Sequence, residues 1–304
     1  MAWKDPDIEG VRALLAAGAT PPGGPEPTLE ERRMRIDAFA EMVPLPEGVT
    51  RATGEIGGRA CERLEPADAV EGRRLLYLHG GAYVIGSARS HRPLAAQLAA
   101  AARAVAVVPD YRLGPENRFP AAVEDAVAAY AELLDETDAS RIVVAGDSAG
   151  GGLSLALALA LKARGLPQPA GYYVISPWAD LTQSSDTYRT KAATDPMIQR
   201  DAVAGSAADY LGGGDARDPL ASPVFGDFDG VAPILIQVGS EETLLGDSLK
   251  VADVAGQARV QVQLEIWPEM IHVFQAFFFQ CAAARRAIAA AGAWMEARLS
   301  AATS

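Results

Sequence analysis

The sequence predicts an α/β fold in which helices flank a mostly parallel sheet of eight strands. From about residue 50 onward, short apolar segments alternate with helical patterns, which is typical of parallel strands joined by crossover helices. The apolar segment 142–145 runs through a glycine-rich turn directly into an alanine- and leucine-rich helix at 149–163. Between Pro177 and Pro233 the alternation fails, which indicates an insertion above the carboxyl edge of the sheet.

Each predicted strand is a short apolar run, and helical periodicity appears between most of them. The strands are predicted at residues 51–56, 59–64, 75–78, 105–108, 142–145, 172–175, 234–238 and 260–266. Helices are predicted at residues 93–102, 121–134, 149–163, 201–211 and 282–299, the fourth of them within the insertion.

Two further helices precede the first strand. An amphipathic helix is predicted at 7–18, a run of prolines and glycines follows at 21–25, and a capping box of Thr28 and Glu31 opens a helix ending near Met42. These helices carry too few apolar residues for a core of their own, so they must lie on the rest of the protein. We therefore predict N-terminal helices that join a cap (1–48), the first part of the core (49–178), a cap insertion (179–232) and the second part of the core (233–304).

Composition and charge exclude several classes of function. The net charge of −12 opposes binding to nucleic-acid backbones and to anionic membrane surfaces. Residues 1–10 are rich in charge, and the most apolar stretch, 153–161, is far shorter than the ~20 residues of a membrane span, so neither a secretory signal nor a membrane anchor is predicted.

Cys61 and Cys281 lack metal or redox spacing, and we interpret them as free thiols of a cytoplasmic protein. Both a monomer and a homodimer stay open.

A serine lies at the turn after strand 142–145. Residues 146–150 read Gly-Asp-Ser-Ala-Gly and match G-x-S-x-G, which lifts a serine hydroxyl above the sheet and needs small neighbours because backbones crowd there. The alternative is a glycine-rich turn with an incidental serine. The buried strand before the motif and the helix after it favour Ser148 as a nucleophile.

A pair of glycines follows strand 75–78. Acyl transfer requires preorganised N–H donors for the oxyanion, and consecutive glycines let the main chain turn its amides toward one point. We predict Gly80 and Gly81 as two donors and Ala149, which follows the nucleophile, as the third. A simple tight turn is the alternative, but it would not need His79, which we expect to hold the loop by hydrogen bonding.

The chain contains three histidines. His79 belongs to the glycine loop, and His91 stands at the start of a predicted helix, where we expect a capping or surface role. His272 follows the last strand, where the hydrolase order of serine, acid and histidine requires the base. His272 is therefore the predicted base.

Three carboxylates after strand 234–238 compete for the role of the acid that orients this base. Asp247 lies far into the following segment. Glu241 and Glu242 are adjacent, and successive side chains of an extended segment point to opposite faces, so only one of them can face the imidazole. No pattern in the residues alone decides between these two.

Six segments, spread over residues 50–299, resemble the bacterial hormone-sensitive-lipase family of esterases. They are 79–82 (His-Gly-Gly-Ala), 110–116 (Asp-Tyr-Arg-Leu-Gly-Pro-Glu), 119–122 (Phe-Pro-Ala-Ala), 146–151, 176–178 (Ser-Pro-Trp) and 272–274 (His-Val-Phe). The resemblance implies an α/β-hydrolase fold with a helical cap, hydrolysis of short acyl esters, and neither a metal nor an organic cofactor.

The resemblance also bears on the acid. The family commonly has Asp-Pro-Leu where residues 242–244 read Glu-Thr-Leu, and aligning the leucine assigns the role to Glu242, as in a subgroup with Gly-Ser-x-Glu-x-Leu-Leu. Gly114 replaces the usual alanine, a change we expect to be minor. By the same resemblance, the segment 110–116 and Asp147 support the site structurally.

Other functions share these motifs. With the same triad, a lactone or an acetyl-amide could be the substrate instead of an ester. A different class is a non-catalytic receptor for a small ligand, as in the plant gibberellin receptors, which resemble the same family but have lost the histidine. The presence of His272 disfavours the receptor, and a scaffold would not need these motifs together.

Overall fold

A computed structural model of the protein describes residues 6–18 and 24–300. Its eight-stranded sheet has the order β1-β2-β4-β3-β5-β6-β7-β8. β1 pairs antiparallel with β2, and β2 with β4, whereas the remaining neighbours pair in parallel, which confirms the predicted fold class. The strands are β1 (Val49–Ile56), β2 (Arg59–Pro66), β3 (Arg74–Leu78), β4 (Val105–Pro109), β5 (Ile142–Asp147), β6 (Gly171–Ile175), β7 (Ile234–Gly239) and β8 (Val262–Trp267).

Helices cover both faces of the sheet. They are α1 (Ile8–Gly18), α2 (Leu29–Glu41), α3 (Ala88–Ala102), α4 (Ala121–Glu136), α5 (Ala149–Arg164), α6 (Thr187–Thr190), α7 (Arg200–Leu211), α8 (Leu245–Gln257) and α9 (Ala282–Ser300). Helices α4, α5 and α8 share one apolar core, and α3 and α9 share the other. None of the helices in the described parts of the chain is both long enough and apolar enough to cross a membrane.

The central strands β3 to β7 are mainly apolar because both of their faces are buried, whereas β1 at the edge of the sheet is mostly exposed. In β3, Leu76 and Leu78 point into the core beneath α4 and α5, whereas Leu75 and Tyr77 point into the core beneath α3 and α9. Cys61 and Cys281 also lie in opposite cores, and they are not joined in a disulfide.

Helix α3 begins earlier than its sequence predicts. Ser87 caps it, with reciprocal side-chain and backbone hydrogen bonds to Ser90, so the helix starts at Ala88 and not near Pro93. This start places His91 within the first turns of the helix. The position matters for the site described below.

The N-terminal helices lie on the core as predicted. Ile8 and Val11 of α1 are buried in the core shared by α3 and α9, and Phe39 of α2 packs against it. Thr28 forms the expected capping box with Glu31. Residues 1–5 and the breaker residues 21–23 lie outside the described residues, and the division of the chain into core and cap stays a prediction.

Candidate active site

Ser148 lies at the turn between β5 and α5, with φ +52° and ψ −120°. A side chain at Gly146 would bring a Cβ within 2.4 Å of Gly150 O, and one at Gly150 would lie 2.0 Å from Leu78 O. Glycine is therefore required on both sides of the serine. The strained turn places Ser148 Oγ at the carboxyl edge of the sheet, where the other residues of the site also lie.

His272 and Glu242 reach Ser148 from the neighbouring strand ends. His272 follows β8, and its Nε2 lies 3.0 Å from Ser148 Oγ. Glu242 follows β7, and its Oε2 lies 2.8 Å from His272 Nδ1. The side chains of His272 and Glu242 are 3% and 0% exposed, so water does not compete for the hydrogen bond that joins them. The three predicted triad residues are thus joined by a continuous chain of hydrogen bonds.

The second oxygen of Glu242 is also held. Glu242 Oε1 accepts hydrogen bonds from Ser176 Oγ at 2.8 Å and from Gly239 N at 2.6 Å. Ser176 Oγ accepts in turn from Val273 N at 3.2 Å. Ser176 therefore connects the acid to the backbone beside the base, a role that the sequence motif around it did not reveal.

The competing carboxylates point elsewhere. Glu241 pairs with Lys191 Nζ at 3.3 Å on the rim of the fold. Asp247 is buried and accepts from the amides of Ala179 and Asp180 at 3.2 and 3.0 Å. Burial and the nearby charge of Asp180 raise the pKa of Asp247 well above its ordinary value. Of the three candidates, only Glu242 contacts His272.

A buried aspartate of the insertion supports the acid. Asp195 Oδ2 accepts from Thr243 N at 2.8 Å and from the Thr243 hydroxyl at 3.2 Å. Asp195 Oδ1 accepts from Met197 N and Ile198 N, both at 2.9 Å. Sequence analysis missed Asp195, because Thr243, the partner that joins it to the acid, lies 48 residues along the chain.

The environment of His272 raises its pKa. Burial alone lowers the pKa, but the hydrogen bond that His272 donates to Glu242 and the negative charge of Glu242 outweigh burial. Glu242 thereby stabilises the imidazolium, which is the state that a general base reaches after taking a proton.

We call residues 79–86 the oxyanion loop. Gly80 N donates to Asp147 Oδ1 at 3.0 Å, so this amide is already engaged and the prediction that Gly80 is an oxyanion donor is wrong. A Cβ on Gly80 would lie 2.2 Å from Asp147 Oδ2, which explains the glycine. Within residues 6–18 and 24–300, the amides of Gly81, Ala82 and Ala149 have no hydrogen-bond acceptor.

His79 fastens the start of the oxyanion loop. Its ring stacks on Tyr111 with centroids 4.1 Å apart, and the Tyr111 hydroxyl donates to His79 O at 2.6 Å. Burial lowers the pKa of His79 to about 3, so the ring is neutral. Its Nδ1, 2.8 Å from Gly80 O, therefore donates the hydrogen bond that sequence analysis expected.

His91 is neither a cap nor a surface residue, contrary to the sequence interpretation. Its side chain is 11% exposed, and its Nε2 lies 3.4 Å from Asp147 Oδ2. The same nitrogen lies 3.2 Å from Gly80 N. The early start of α3 carries His91 inward to these partners.

A cavity of about 820 Å³ opens above Ser148 and His272. Apolar side chains of α1, α2, the insertion and the segment before α9 line its walls. These include Leu14, Leu15, Phe39, Val43, Met197, Ile198 and Phe277. Ser148 is 8% exposed, so its hydroxyl is reached from this cavity.

Comparison with known proteins agrees with this geometry. Residues 75–276 match the model of a family described by the alpha/beta hydrolase fold. An acetyl-hydrolase of Streptomyces hygroscopicus is 42% identical over 296 residues, which cover 95% of this chain and 96% of that protein.

Two solved structures are also similar. The crystal structure of EstE5 soaked by p-nitrophenyl butyrate is 40% identical, with a TM-score of 0.93 over 98% of this chain and 100% of that one. An esterase from the bacterial hormone-sensitive lipase family is 38% identical, with a TM-score of 0.93 over 98% and 99% of the two chains. The chain therefore belongs to the α/β-hydrolase family, within the bacterial hormone-sensitive-lipase group of esterases.

Proposed function

We propose that the protein is a carboxylesterase that hydrolyses short-chain acyl esters through an acyl-enzyme on Ser148. One observation carries the proposal. The hydrogen bonds from Ser148 Oγ to His272 Nε2 and from His272 Nδ1 to Glu242 Oε2 are 3.0 and 2.8 Å long, and they lie beneath an apolar cavity. This arrangement makes an otherwise weak hydroxyl nucleophilic.

Acylation begins when Ser148 Oγ attacks the ester carbonyl carbon and His272 Nε2 takes the serine proton. Glu242 keeps the Nδ1 proton of His272 in place and stabilises the imidazolium that forms. The amides of Gly81, Ala82 and Ala149, which have no acceptor of their own among the described residues, stabilise the oxyanion.

The tetrahedral intermediate then collapses. His272 donates its proton to the leaving alkoxide, which departs as the alcohol and leaves the acyl group on Ser148. Water attacks the acyl-enzyme with His272 again as base, and the carboxylic acid is released.

The cavity supports a small apolar substrate. Its volume of about 820 Å³ accommodates a drug-sized ester, and its walls close over the site from α1, α2 and the insertion. We expect acyl chains of about two to eight carbons to be preferred over longer ones, since a longer chain must displace these walls.

An acetyl ester or acetyl amide is the second candidate substrate. The similar protein from Streptomyces hygroscopicus is named an acetyl-hydrolase, which favours an acetyl group. The same triad would cleave an amide if His272 protonated the leaving amine. A receptor role is disfavoured because the complete chain of hydrogen bonds has no use in ligand binding.

The test is hydrolysis of p-nitrophenyl esters from acetate to palmitate, with p-nitroacetanilide as the matched acetyl amide. We expect the highest kcat/KM between acetate and octanoate, and Ser148→Ala serves as the inactive control. Absence of hydrolysis with every ester, or equal activity in the Ser148→Ala variant, would contradict the proposed function. Faster cleavage of the anilide than of p-nitrophenyl acetate would favour the amide.

A further inference from the structure

His91 joins the oxyanion loop to the turn that carries the nucleophile, and the proposed mechanism does not use it. Gly80 N has two acceptors, Asp147 Oδ1 at 3.0 Å and His91 Nε2 at 3.2 Å. The other oxygen of Asp147 lies 3.4 Å from the same His91 nitrogen. Asp147 directly precedes Ser148, so these contacts link the loop, helix α3 and the nucleophile.

The proton positions on His91 follow from its neighbours. Ser90 Oγ donates to Ser87 O at 2.9 Å, so in its 2.8 Å contact with His91 Nδ1 the imidazole is the donor. In the neutral ring Nε2 is therefore bare and accepts from Gly80 N. In the charged ring Nε2 carries a proton and donates to Asp147.

His91 thus binds one of the two anchoring groups in either protonation state. Burial lowers the pKa of His91, but the charge of Asp147 and its hydrogen bond outweigh burial and raise the pKa overall. The Tyr77 hydroxyl, which donates to Asp147 Oδ1 at 2.7 Å, completes the set of groups that hold this carboxylate.

We infer that His91 is a positioning residue for the oxyanion-stabilising amides, holding the oxyanion loop against the turn of Ser148 together with Asp147. The inference rests on the proposed esterase function. The positioning role follows from the conformation of the backbone after Gly80. Gly81 and Ala82 have φ values of +116° and +53°, outside helix and strand, so the direction of their amides depends on the anchor at Gly80.

Small displacements of these amides matter because an oxyanion donor acts only at hydrogen-bond distance from the developing charge. Removing one such donor from a serine hydrolase costs about 10²–10³-fold in kcat. Removing the contact of His91 with Gly80 should lower kcat by less, about 10–100-fold, because the amides are then poorly oriented but still present. Binding of the ground-state ester should change little.

Four variants test the inference. His91→Phe keeps an aromatic ring but can form a hydrogen bond neither with Gly80 N nor with Asp147. His91→Gln places a polar atom near the position of Nε2, whereas the shorter His91→Asn cannot reach it. Arg89→Gln is the matched control, because Arg89 is on the same helix with a side chain that is 48% exposed.

Each variant is measured for kcat and KM on p-nitrophenyl butyrate, for melting temperature, and for inhibition by butylboronic acid. Boron accepts an electron pair from Ser148 Oγ while the serine proton passes to His272. The product is a tetrahedral boronate anion whose oxygen occupies the oxyanion position. The Ki of butylboronic acid therefore measures how well the amides are oriented toward the oxyanion. A smaller fraction of folded protein would lower the activity but would not change this Ki.

We expect His91→Phe and His91→Asn to lower kcat about 10–100-fold, with KM within about threefold and Ki raised by the same factor as kcat/KM falls. His91→Gln and Arg89→Gln should stay within about fivefold of the wild type. If His91→Phe fails to fold, the comparison of Gln with Asn decides.

Unchanged kcat and Ki in the Phe and Asn variants, or equal losses in the Gln and Asn variants, would overturn the positioning role. So would a fall in kcat without a rise in Ki. The proposed function fails separately, through an active Ser148→Ala variant.

Discussion

Two pairs of histidine and carboxylate, one buried and one largely buried, flank Ser148, and they differ in which group the histidine contacts. In the first pair, His272 contacts Glu242 at 2.8 Å and directs its other nitrogen to Ser148 Oγ. In the second, His91 lies 3.4 Å from Asp147 and directs the same nitrogen to a backbone amide, Gly80 N. Both pairs join an imidazole to a carboxylate, but the imidazole of the first contacts a hydroxyl and that of the second contacts a backbone amide.

The two pairs differ in the group that the histidine contacts besides its carboxylate, which is Ser148 Oγ for His272 and Gly80 N for His91. A histidine whose free nitrogen faces a hydroxyl can move a proton, whereas one that faces an amide can only hold the main chain. We therefore assign proton transfer to the pair of His272 and Glu242, and alignment of the oxyanion loop to the pair of His91 and Asp147. The predictions below separate these roles.

The largest effect is expected at the hydroxyl itself. Ser148→Ala removes the nucleophile and should lower kcat by about 10⁴-fold or more, with the fold retained. Steady-state hydrolysis of p-nitrophenyl butyrate, with folding checked by circular dichroism, measures this. Activity within tenfold of the wild type would refute the nucleophile.

Glu242→Gln should lower kcat by about 10²–10⁴-fold. The amide oxygen of Gln can keep the hydrogen bonds from Ser176 and Gly239, which turns its NH₂ toward His272 Nδ1. The imidazole proton then moves to Nε2, where it blocks removal of the serine proton. A kcat within tenfold of the wild type would exclude Glu242 as the acid.

Asp195→Asn should lower kcat by about tenfold and raise KM. One oxygen becomes an NH₂ group facing N–H donors, so the bonds to Thr243 or those to Met197 and Ile198 are lost. Thr243 adjoins the acid, and Met197 borders the cavity. The exposed Asp186→Asn on the same segment is the control, and equal kinetics in the two variants would contradict this role.

The smallest effects are expected from the competing carboxylates. Glu241→Gln and Asp247→Asn should each keep kcat within about tenfold. Burial raises the pKa of Asp247 well above its ordinary value, and the carboxyl accepts hydrogen bonds from two backbone amides, both of which an Asn oxygen can also accept. A dead variant at either position, combined with an active Glu242→Gln, would show that the acid is wrongly assigned.

Much of this site follows from local sequence. The strands, the turn around Ser148 and the place of His272 after the last strand depend on periodicity and order along the chain, which are visible without a structure. The choice of Glu242 over Glu241 needed the resemblance, because it depends on which of two adjacent side chains turns back over the sheet.

The roles of Gly80 and His91 could not be predicted in the same way. Gly80 N binds side chains 11 and 67 residues away, and only the assembled fold shows that this amide is already engaged. The spacing of Ser87 and Ser90 was a usable signal. It starts α3 one turn earlier than Pro93 suggested and brings His91 to the inner side of the helix.

The most direct test of the contrast between the two histidines is the pH dependence of kcat/KM for the wild type and for His91→Gln. The base must be neutral, so activity is lost as pH falls through the pKa of His272, which lies above the ordinary histidine value of ~6.5. We expect the acidic limb to persist in His91→Gln, with its midpoint moved by less than about half a unit. Loss of the limb, or a shift of a full unit or more, would show that His91 is the titrating base.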